Sequence, residues 1–147
     1  MNRTAFFACA ALAGAPLLGC LGCSGGPAGG TNVSFPAEPL LTLASDTGAL
    51  QIELRSAPDQ PPARGVISLE YRIAQKDGTP ADGLTLTLVP WMPDHGHGAS
   101  VAPSVTPMGS GRYVVSDVAL VMPGTWELRT TFAGPTQDRA TPSLQIP

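Results

Sequence analysis

The chain has 147 residues and a formal net charge of −3, with one lysine and seven scattered arginines. That length admits one domain, and cations so dispersed exclude the basic patch that would hold a nucleic-acid backbone. Seventeen glycines and sixteen prolines exclude long helices as well, because a proline in a helix interior costs about 3 kcal/mol.

At the N-terminus one positive side chain, Arg3, precedes an apolar run from Ala5 to Leu18 that Pro16 interrupts. A membrane span needs about 20 apolar residues, so the pattern reads as a secretory signal over residues 1–19. Its end, Leu17-Leu18-Gly19-Cys20, resembles the lipobox of bacterial lipoprotein signal peptides, in which the cysteine receives a diacylglyceryl group and the leader is cut before it. The resemblance implies lipidation of Cys20, a membrane attachment, and a place in the cell envelope outside the cytoplasm. Cys9, Cys20 and Cys23 are the three cysteines, so the globular part has no disulfide framework and must be stabilised by apolar burial.

Residues 20–39 are rich in Ser, Gly, Pro and Ala and almost uncharged, the composition of a flexible tether. From Leu40 the pattern changes to alternation. Leu50, Ile52 and Leu54, then Ile67, Leu69, Tyr71 and Ile73, alternate with polar residues and predict strands with one buried face. Lys76 to Gly83 holds two Asp-Gly pairs and a proline, which is turn chemistry. A third strand carries Leu84, Leu86 and Leu88 and is expected to stop at Pro90, which lacks a ladder donor.

Beyond an extended, proline-punctuated stretch from Ser100 to Pro107, Met108 to Gly111 predicts a tight turn. Strands are expected at Tyr113 to Val115 and Val118 to Met122, then, after a Pro123-Gly124 turn, at Trp126 to Phe132, and last at Ser143 to Ile146. The pattern predicts an all-β domain over residues 40–147, an immunoglobulin-like β-sandwich of about seven short antiparallel strands, with a small barrel as the alternative.

Both histidines lie in one stretch, Trp91-Met92-Pro93-Asp94-His95-Gly96-His97-Gly98. In an extended segment residues i and i+2 point the same way, so His95 and His97 can offer two imidazoles to one ion, with Gly96 and Gly98 leaving room around it. Thioether sulfur favours Cu(I), so Met92, Met108 and Met122 bear on the choice of metal. The plainer reading is that the histidines are ordinary turn residues and the methionines core filler. No nucleophile elbow, P-loop, dinucleotide fingerprint or paired Cys-x-x-Cys zinc set occurs in the domain, which argues against an enzyme.

Together with Gly111-Arg112-Tyr113 and Val121-Met122-Pro123-Gly124-Thr125-Trp126-Glu127-Leu128, that stretch resembles the YtkA-like domain family. The family pairs a Met-Pro-x-x-Gly-His-Gly or His-Gly-His-Gly segment with a later Met-x-Gly-x-Trp segment. The resemblance implies a secreted or lipid-anchored β-sandwich working beside copper or other heavy-metal systems. Carried over residue by residue, it implicates Met92, His95, His97 and Met122 as a copper site serving delivery, buffering or tolerance, with a copper-handling or envelope protein as partner. Asp94 departs from the small or sulfur-bearing residue of many relatives, which bears against a purely soft site. The competing expectation is a metal-free interaction module that uses the same loop and Trp91 to contact a protein.

Overall fold

The computed structural model describes residues 33–147; the leader, Cys20 and most of the tether lie outside them. In chain order the strands are β1 (Leu41–Ala44), β2 (Leu50–Ala57), β3 (Gly65–Gln75), β4 (Thr85–Met92), β5 (His97–Gly98), β6 (Ser104–Gly109), β7 (Arg112–Leu120), β8 (Gly124–Ala133), β9 (Asp138–Ala140) and β10 (Ser143–Ile146). One antiparallel sheet runs β1-β2-β3-β7-β6, the other β10-β8-β4-β5. The strand β9 also pairs with β8, and β9 and β10 lie in series along it, linked where the Leu128 amide donates to the Pro142 carbonyl. The fold is an all-β sandwich.

The alternation seen in the sequence sets the inner faces. Leu50, Ile52 and Leu54 of β2, Leu69 and Tyr71 of β3, and Trp126 and Leu128 of β8 are all buried in the single core between the sheets. Each such side chain contributes about 1.5–3 kcal/mol of transfer free energy. Two phenols bring polar atoms inside and satisfy them there. Tyr71 shares a 3.0 Å hydrogen bond with the Thr130 hydroxyl across the sheets, and Tyr113 donates to the Ala81 carbonyl at 2.7 Å while accepting from the Leu84 amide. Burial pushes the Tyr71 phenol far above its ordinary range, so it stays a neutral hydrogen-bonding group.

On the outer face of the first sheet Glu70 is fully buried, although it is charged. It is gripped by Arg112 at 2.7 Å and Arg72 at 2.9 Å, with Arg55 4.0 Å away. Arg55 in turn donates to the Ala37 carbonyl, and Gln60 donates to that of Glu38. The last residues assigned by composition to the tether are therefore clasped against β2.

Three sequence expectations need correction. The strand β4 does not stop at Pro90 but runs on to Met92, with Pro90 paired opposite Leu128. The Pro90 carbonyl accepts from the Ala99 amide, so the ring nitrogen faces the side of the two-residue β5 and the long β4–β8 ladder loses no donor. The two strands expected between Tyr113 and Met122 are one, β7, because a bulge resets its alternation. Ile67 pairs with Val118 but Leu69 with Val115, leaving Ser68 opposite two residues, and Asp117 takes φ 60°. Val115 and Val118 thereby both face the core, although they are three apart. Finally, the described residues hold ten strands rather than about seven, since β1, β5 and β9 are too short to show a period and β6 is an edge strand containing Pro107.

Candidate functional site

At the end of β4 the chain reverses through Pro93-Asp94-His95-Gly96 and returns as β5. The Met92 carbonyl closes the turn by accepting from the amides of Gly96 at 2.9 Å and His95 at 3.3 Å, and Gly96 supplies the left-handed φ of 67°. In the returning strand His97 lies opposite Met92 and Gly98 opposite Trp91. Opposed residues share a face, which puts His97 on the core side of the sheet but at its open edge, and Trp91 on the outer side.

His95 and His97 are both exposed, with ring centroids 5.7 Å apart and planes inclined at 56°. Metal–imidazole bonds of about 2.0–2.1 Å put two rings that share one ion roughly 5–6 Å apart, centroid to centroid. The observed spacing fits. The His97 Nδ1 lies 3.2 Å from the Gly98 carbonyl; a proton held there leaves the lone pair on Nε2, the kind of backbone contact that fixes a ligating imidazole.

Beneath the turn lies sulfur. Met92 is completely buried, and its methyl group packs so closely on Gly124 that a Cβ there would sit 3.1 Å from it. The Trp91–Glu127 pairing places Met92 level with Trp126 on β8, so on the inner face Met92 stands between Trp126 and His97. The Trp126 indole donates to the Met122 carbonyl at 2.9 Å, which fixes the bend leading into β8 and holds Met122, half-buried, at the same end. Met108, by contrast, is 54% exposed on β6, beside the hairpin turn at the opposite end of the sandwich. Met92, His95, His97 and Met122 are thus gathered at one end, in two tiers: imidazoles outside, a buried thioether inside.

The outer face of the hairpin carries residues that the sequence reading did not single out. Arg129 lies over the Trp91 ring at 4.5 Å, and Glu127 holds its guanidinium by two bonds of 2.8 and 3.0 Å. The outward parity of Glu127 and Arg129 on β8 was visible in the alternation; their position against Trp91 depends on cross-strand register. Gly98 keeps this stack close, since a Cβ there would lie 3.0 Å from the Pro90 carbonyl and 3.5 Å from the indole.

Among the described residues no three His, Cys, Asp or Glu side chains are grouped to hold an ion. The YtkA-like sequence model matches residues 46–131, more than half of the chain, and spans both the histidine hairpin and the Met122–Trp126 bend. The chain belongs to the YtkA-like family. No curated protein matches it, and no solved structure does.

Proposed function

We propose that this YtkA-like protein is an extracytoplasmic lipoprotein, anchored through Cys20, that binds a copper ion at the histidine hairpin for delivery, buffering or tolerance. The observation that carries the reading is the imidazole pair, 5.7 Å apart at an open edge, with His97 oriented by a backbone carbonyl. His95 and His97 would hold the ion, and Met122 is the more accessible source of sulfur because it is only half-buried. Met92 reaches an ion only if its side chain leaves the core. Copper supplies a soft acceptor for thioether and a strong one for imidazole, a pairing that suits transfer between partners.

Titration of the leaderless domain with Cu(I) against a chromophoric chelator tests this, alongside a His95→Ala/His97→Ala double variant. One-to-one binding that the double variant loses supports the site. An intact fold with no competition for copper refutes it.

The Trp91–Arg129 stack favours a second reading, a metal-free module that meets a protein partner with this face. Aromatic and arginine side chains are the usual anchors of such contacts. Under that reading partner binding depends on Trp91 and survives removal of both histidines.

A further inference from the structure

The hairpin and the tether occupy the same end of the sandwich. The Leu40 amide donates to the Leu54 carbonyl and Arg55 holds Ala37, so the tether meets the domain at the end of β2. That end is shared by the start of β3 and the end of β7, since Ala57 pairs with Ser68 and Gly65 with Leu120. From Leu120 the chain crosses to the start of β8 at Gly124, and β8 is paired near its start, at Glu127, with the end of β4 at Trp91. The turns after β1, β3 and β6 lie at the other end, roughly one strand length away. For the eight residues of β2 that is about 27 Å.

We infer that the histidine turn is a membrane-facing surface: anchored through Cys20, the sandwich presents His95 and His97 toward the bilayer, and what lies opposite them is the headgroup layer. This rests on the lipid anchor of the proposed function. Cys20 lies only 17 residues before Ala37 in the sequence, so the lipid would join the domain at the hairpin end. Such a tether keeps the attached end nearer the membrane than the far end. Its hold is mechanical, because the exposed acids Glu38, Asp59 and Asp94 at the near end outnumber Arg64, while Arg55 and Arg129 are bonded to Glu53 and Glu127, so this end has no net electrostatic attraction to anionic lipid. An ion held there would be exchanged at the bilayer surface.

The full lipidated chain, in a Cys23→Ser background with one new cysteine at Ser100→Cys or at Lys76→Cys, is labelled with a fluorophore and placed in phosphatidylcholine vesicles carrying a headgroup nitroxide. Both positions are exposed, the first beside the hairpin and the second at the far end. Quenching several-fold stronger at Ser100 than at Lys76 is expected. Equal or reversed quenching, in protein that floats with the vesicles, overturns the orientation and leaves the anchor standing. Failure to float, or flotation unchanged in Cys20→Ser, removes the anchor and the orientation with it.

Discussion

Met92 belongs both to the proposed site and to the core, and Met92→Ala separates the two roles when set beside changes to the histidines. Its side chain is completely buried and fills the space over Gly124. Truncating a fully buried methionine to alanine costs about 2–5 kcal/mol, the lost transfer energy plus the cavity left behind. For a domain of about 100 residues each kcal/mol lowers the melting temperature by about 4 °C or more, so a fall of about 8–20 °C is expected in circular-dichroism melts. Met92→Leu keeps the volume and loses the sulfur; it should cost less than about 1.5 kcal/mol. His95→Ala and His97→Ala, at exposed positions, should stay within about 0.5 kcal/mol of the parent. Copper titrations of the Leu variant then report on sulfur without confusion from unfolding. A Met92→Ala domain that melts within a degree or two of the parent would refute the placement of Met92 in the core and with it the two-tier description of the site.

Glu70→Gln leaves three arginines around a neutral amide; because Arg72 and Arg112 are over 40% exposed, the loss should fall toward the lower end of the about 3–5 kcal/mol seen when a buried pair is broken, read by denaturant unfolding. Burial alone would raise the Asp138 carboxyl, but hydrogen bonds from the Ser45 and Thr47 hydroxyls and the Arg139 and Thr47 amides outweigh it and hold the pKa at about 2, below the ordinary 3.8. A depressed acid stabilises the fold above its unfolded value, so this contribution should be complete above about pH 5 and lost as pH falls from about 4 toward 2, a slope that Asp138→Asn should flatten in acid titration. Gly111→Ala should destabilise the domain strongly, since φ is +70° and the new methyl would collide with the Ile73 carbonyl oxygen; a melting temperature equal to the parent's would contradict that packing.

The sandwich was legible because its long strands carry a period of two: Leu50 to Leu54, Ile67 to Ile73 and Trp126 to Phe132 needed no tertiary information. Pro90 misled because a missing donor breaks only one of a strand's two ladders, here the short one toward β5 and not the long one to β8, and the sequence does not say which. The β7 bulge misled because Val115 and Val118 break parity unless an extra residue is allowed between them. At the site, the i, i+2 histidine spacing was open to view in the sequence. The depth of Met92 was not, since it depends on β4 continuing past Pro90. The Arg129 stack on Trp91 was likewise beyond reach, because it joins residues that are neighbours only through the β4–β8 register.

The clasp between the first strands and the last has a kinetic meaning. Thr47, just after β1, donates to Asp138 at 2.6 Å, and the neighbouring Asp46 amide donates to the Arg139 carbonyl. Those partners are 91 residues apart along the chain, and β10 follows still later. Such distant closures slow folding. During synthesis from the N-terminus the first sheet's edge stays unclasped, and β8 stays without β9 and β10, until residues 138–146 have been made.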